Sequence, residues 1–251
     1  MKKDLLNITN SYLLLLIFLK LSDKFSSSMP YDFLFNQIIF FIIGLIGLIL
    51  TLFLIKFNKD NTKIFENKIK WKNIFTVLVF TFSYSIIIQY LTFDNKPKYF
   101  FNIQTNISFL ILLFSTIILY PIFEEFFFRF LILNYFIKKR KFILGIIANS
   151  LMFSLAHFIL NKGYFDYIDF IVFSFMGITF SLIKIHYGLL FSIISHSILN
   201  IIGVLYNQEI INLYMLDYIN NKIYTSILFV VCIIFYIGFL IYSYNYFKRK
   251  I

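Results

Sequence analysis

"ISFLILLFSTIILYPIFEEFFFRFLILNYFI", residues 107–137, is a nearly unbroken apolar run with two adjacent glutamates and an arginine inside it. At about 1.5 Å per helical residue, such a run is longer than the hydrocarbon layer of a bilayer, about 30 Å, is thick. Glu124, Glu125 and Arg129 therefore fall at membrane depth, where each charge costs about 2.5–3.5 kcal/mol or more unless it is paired or used. Pro121, three residues before the first glutamate, has no N–H to give and is expected to break or kink the run.

The rest of the chain repeats the apolar pattern. Of its 251 residues 60% are hydrophobic and only 14% charged, and the mean hydropathy is +0.83. A soluble domain of this length would be nearer half apolar and a quarter charged. Eight spans are expected, at about Leu5–Leu21, Phe33–Phe57, Ile74–Phe93, Ile107–Ile137, Phe142–Leu160, Phe165–Ile185, Gly188–Tyr206 and Ile223–Phe247. The first is diluted by Asn7, Thr9, Asn10 and Ser11. No small-residue cleavage site follows it, so it reads as a span rather than a signal peptide. The expected fold is all-α, a polytopic bundle of about eight transmembrane helices forming one domain over residues 1–251, with no internal repeat.

Charge sets the expected orientation. Lys2, Lys3, the lysines from Lys56 to Lys72, the run Lys138 to Lys141, Lys184, Lys248 and Lys250 all fall on one side of that alternation. The other side holds only Lys20, Lys24, Lys96, Lys98, Lys162 and Lys222, with most of the acids: Asp23, Asp32, Asp94, Asp166, Asp169, Glu209 and Asp217. The positive-inside rule then places both termini in the cytoplasm. The same rule accounts for the net charge of +11 without a nucleic-acid partner. The single cysteine, Cys232, excludes an internal disulfide and a cysteine metal cluster. Abundant Phe, Ile, Lys, Asn and Tyr suggest an AT-rich genome and a bacterial cell membrane.

Three polar groups sit inside the spans. The fourth span carries Glu124, Glu125 and Arg129, the fifth "FSLAH" (Phe153 to His157), and the seventh "HSILN" (His196 to Asn200). Glu125 and Arg129 are four apart, so they share a helix face and can pair. Glu124 points about 100° away and is left to face a cavity. His196 and Asn200 also share a face. Singly, each has a plain structural reading: a buried ion network, a packing histidine, an asparagine bonding between helices. As a set they are a hydrolase inventory without a serine or cysteine nucleophile. A carboxylate in a low-dielectric cavity can act as general base on water. A histidine beside it can orient that water, and a second histidine with an asparagine amide can donate to an oxyanion.

In this order, "EEFFFR", "FSLAH" and "HSILN" resemble the signature of the CPBP family of intramembrane proteases (CAAX proteases and bacteriocin-processing enzymes, also called Abi). The resemblance covers about residues 107–206. It implies an intramembrane endopeptidase in which Glu124 activates water, His157 assists, His196 and Asn200 hold the oxyanion, and Glu125 and Arg129 support the site. It implies a peptide or small membrane-protein substrate in the bilayer, and no cofactor. Two histidines and a glutamate could also ligate zinc, but the glutamate mechanism needs no metal. Family roles include prenyl-protein processing, bacteriocin maturation or self-immunity, and peptide signalling, among which nothing in the sequence chooses. Oligomeric state is not legible either. The alternatives are a catalytically inactive scaffold or self-immunity protein, and a proton-coupled transporter with Glu124 as carrier. The intact motifs disfavour the first, and the absence of a repeat disfavours the second.

Overall fold

The computed structural model describes Tyr12, Ile38 and residues 41–49, 51–52, 71–92, 106–160, 167–207 and 222–248. Among these residues the regular structure is entirely helical. We label the helices α1 (41–49), α2 (Trp71–Thr92), α3 (106–138), α4 (Phe142–Leu160), α5 (Tyr167–Tyr187), α6 (Leu189–Asn207) and α7 (Lys222–Lys248). Three stretches are long and apolar enough to cross a membrane: Phe109–Lys138, Tyr167–Tyr187 and Ser226–Lys248. Shorter apolar stretches are Asn73–Ile88, Phe142–Phe158 and Leu189–Val204. The all-α class holds, and α2 to α7 follow six of the expected spans closely. The expected first span lies outside the described residues apart from Tyr12, whose hydroxyl donates to the Met152 carbonyl at 2.7 Å. The second is represented by α1 and residues 51–52.

Helices α3, α4, α5 and α6 pack on one another, and α2 and α7 lie against that group. Lipid offers no hydrophobic drive for such packing, so close backbone approach and hydrogen bonds between helices must supply it. Both are present. A Cβ placed on Gly177 of α5 would lie 2.7 Å from Ser150 Cα of α4. Tyr84 of α2 donates to the Val172 carbonyl at 2.6 Å, and Thr179 meets the Tyr236 hydroxyl at 2.9 Å. Ser150 and Ser181 return their hydroxyl protons to carbonyls four residues back in their own helices.

Gly177→Ala should therefore force α4 and α5 apart, at about the 1–3 kcal/mol usual for overpacking. Gly203→Ala is the matched control: its Cβ meets no described atom within 4 Å, and alanine is the better helix former. Thermal unfolding in detergent should show a clear drop for the first and none for the second. Equal behaviour of the two would mean the close approach at Gly177 is not a constraint.

Pro121 does not end α3. The backbone stays in the right-handed helical region at Leu119, Tyr120, Glu124 and Glu125, and the helix runs on to Lys138. The expected break is replaced by a change of winding. Ser115–Leu119 and Glu125–Leu133 are π-helical, a rare form that recurs at functional sites. The first π-turn directly precedes the proline, where a donor to the preceding turn is missing. The second carries Glu125 and Arg129. Its wider turn, closed by bonds to the fifth residue back, brings positions four apart more nearly into line.

Candidate active site

Arg129 is the largest fully enclosed side chain among the described residues. Its Nη1 lies 3.2 Å from Glu125 Oε1, both side chains being inaccessible to solvent. Nη2 donates to the Gly177 carbonyl at 3.5 Å. The Phe153, Phe180 and Phe128 rings stand 4.5, 5.1 and 5.8 Å from the guanidinium carbon. Nη1 is close to the carboxylate but out of line for a hydrogen bond, and Nε also has no partner. The cation is therefore met by charge and by ring faces more than by directed bonds.

Glu125 does more than neutralise Arg129. The same Oε1 lies 3.0 Å from His196 Nδ1, and Oε2 accepts from the Ser192 hydroxyl at 2.5 Å. A carboxylate has no proton to give, so His196 Nδ1 carries one. The His196 ring stacks on Phe180 at 4.6 Å. Helix α6 thus presents Ser192, His196 and Asn200, four apart, along the face that meets α3.

Glu124 faces the other way, as the helical offset requires. Its Oε2 lies 3.8 Å from His157 Nε2 and 3.7 Å from His196 Nε2. It has no hydrogen-bond partner, and the side chain is 16% exposed. His157 Nδ1 is 3.0 Å from the Phe153 carbonyl, which can only accept, so this nitrogen too carries a proton. The ring stacks on Phe173 at 4.3 Å. Both imidazoles thereby have Nδ1 fixed and turn Nε2 towards the same glutamate oxygen. His196 sits between the two glutamates, with Nδ1 on Glu125 and Nε2 beside Glu124.

Asn200 is placed on α3 rather than on Glu124: its Nδ2 donates to the Thr116 carbonyl at 2.7 Å. One of its two N–H groups is thus spent on backbone. Among the described residues no group of three or more His, Cys, Asp or Glu is arranged to hold a metal ion. The third histidine, His186, lies apart, its Nε2 2.9 Å from the Ser243 hydroxyl. Buried Asn149 donates to Ser181 Oγ at 2.8 Å, between α4 and α5.

Sequence reasoning missed two partners, Ser192 and the Thr116 carbonyl. Ser192 had a legible signal, since it extends the His196–Asn200 stripe by one more step of four. The part played by Thr116 had none, because it uses only a backbone oxygen.

Residues 106–202 match the family described as "Type II CAAX prenyl endopeptidase Rce1-like". No curated protein and no solved structure matches the chain. The matched stretch runs from the start of α3 into α6 and contains every residue of the constellation. It bears out the resemblance carried by the three motifs.

Proposed function

We propose that this chain, whose residues 106–202 match the CAAX prenyl endopeptidase family model, is a member of the CPBP (CAAX protease) family and an endopeptidase that cleaves within the membrane by a glutamate-activated water. One observation carries the reading: Glu124 Oε2, bound to nothing, has two imidazole Nε2 atoms at 3.7 and 3.8 Å. An oxygen at ordinary hydrogen-bond length, about 2.8 Å, from Glu124 Oε2 can lie at the same length from either Nε2. A water there would give one proton to Glu124 as its oxygen attacks the scissile carbonyl carbon. The carbonyl π electrons move to oxygen, and the tetrahedral oxyanion is met by His196 Nε2 and the second N–H of Asn200. To donate, His196 must carry a proton on Nε2 as well as Nδ1, and Glu125 on Nδ1 supports that doubly protonated ring. The intermediate collapses by breaking the C–N bond, and the proton held by Glu124 passes to the leaving amine.

The matched family is described by its action on prenylated proteins. For this chain we take a peptide or small membrane protein as substrate, in a multi-pass arrangement with cytoplasmic termini in a bacterial cell membrane. No metal enters the mechanism. The test is a comparison of peptides in membranes carrying the wild-type chain and Glu124→Gln. Substrates should accumulate uncut in the variant, and cleavage by the wild type should survive strong chelation. Identical peptide profiles would instead leave a scaffold or self-immunity protein. Cleavage lost to a chelator and restored by zinc alone would sink the metal-free mechanism.

A further inference from the structure

We propose that Pro121 is a positioning residue: by withholding a backbone N–H it frees the Thr116 carbonyl, which in turn orients the Asn200 amide. The link begins in the π-turn before the proline. Tyr120 N–H bonds the Ser115 carbonyl, five residues back. Carried one residue further, that register would pair Thr116 O with the N–H of residue 121, and proline has none. The Thr116 hydroxyl does not help, because it is directed to the Leu112 carbonyl. A backbone acceptor left open between helices needs a partner from elsewhere. Asn200 Nδ2 supplies it at 2.7 Å.

The amide group is planar, so fixing one N–H on Thr116 O fixes the direction of the other. Asn200 lies one turn along α6 from His196, and Thr116 lies two turns along α3 from Glu124. The bond therefore ties the two helices together beside the glutamate–histidine group. A proline that only bent α3 would act on stability and shape without passing through Asn200. The effect on turnover rests on the endopeptidase reading, whereas the bond and its cause do not.

A double-substitution cycle on the full chain, purified in detergent, separates these cases. Pro121→Ala restores the N–H, which competes for Thr116 O and releases the amide. We expect kcat to fall about tenfold to a hundredfold, part of what a lost oxyanion donor costs, with KM little changed and the melting temperature unchanged or raised. Asn200→Ala alone should lower melting by roughly 3–8 °C, because a buried acceptor loses its donor. Adding Pro121→Ala to Asn200→Ala should recover part of that melting loss and cause no further loss of turnover. Equal proportional losses of turnover from Pro121→Ala in both backgrounds would overturn the proposal, as would strictly additive melting shifts. The melting cycle needs no substrate, so it decides on the link even if the wild type cleaves nothing and the protease reading fails.

Discussion

Glu124→Gln should abolish most turnover and leave the fold intact. The amide has the size and shape of the carboxylate but cannot take a proton from water, and removal of a general base costs about 10²-fold or more in kcat. Stability should not suffer. Glu124 Oε2 has no hydrogen-bond partner in the folded chain, so its replacement by an amide oxygen or nitrogen breaks no hydrogen bond at that atom. The new amide N–H can donate to His157 Nε2, so melting should hold or rise slightly. Loss of activity at constant or greater stability marks a group held for chemistry rather than for folding. The measurement is cleavage rate and detergent melting on the same preparation. Normal cleavage by Glu124→Gln, together with a folded but inactive Glu125→Gln, would show the two glutamates to have the opposite roles.

The division between the two glutamates follows from adjacency on a helix. Neighbouring side chains diverge by about 100°, so a pair of carboxylates next to one another serves two faces. One is turned to Arg129 and Ser192, the other to the imidazole edges. His196 bridges them because its two ring nitrogens lie on opposite sides of the ring. A carboxylate on the far nitrogen of a reacting imidazole fixes both tautomer and orientation.

Much of this could be read from the chain alone because it rests on local spacing. The bounds of α4, α5, α6 and α7 follow the apolar runs, and the Glu125–Arg129 ion pair follows from a separation of four. The winding of α3 could not be read. An apolar run containing Pro121 is compatible with a break, a kink or a π-turn, and what selects among them is tertiary: a neighbouring helix must offer a donor to the freed carbonyl, and Asn200 does so from 84 residues away. The contact of Glu125 with His196, 71 residues distant, is hidden for the same reason. Spacing shows which residues share a face and not which faces meet.

Glu125→Ala should be the most destabilising substitution in the site. It leaves the Arg129 guanidinium, wholly enclosed, without its counter-charge, and breaking a buried pair from one side costs about 3–5 kcal/mol. For a chain of this size that is a fall in melting of about 6–20 °C. The rings of Phe128, Phe153 and Phe180 around the guanidinium soften the loss but cannot replace a negative charge at 3.2 Å. Two further groups lose their acceptor at once, His196 Nδ1 and the Ser192 hydroxyl, so turnover should fall along with stability. Taking away both charges tests the cause. Glu125→Gln with Arg129→Met removes the stranded cation and keeps an amide oxygen for His196, so much of the melting loss should return. Activity should return less, because a neutral amide supports a doubly protonated imidazole poorly. A wild-type melting temperature for Glu125→Ala would show that the ion pair does not hold this site. A double variant no more stable than Glu125→Ala would show that the cost lies in His196 and Ser192 rather than in the stranded arginine.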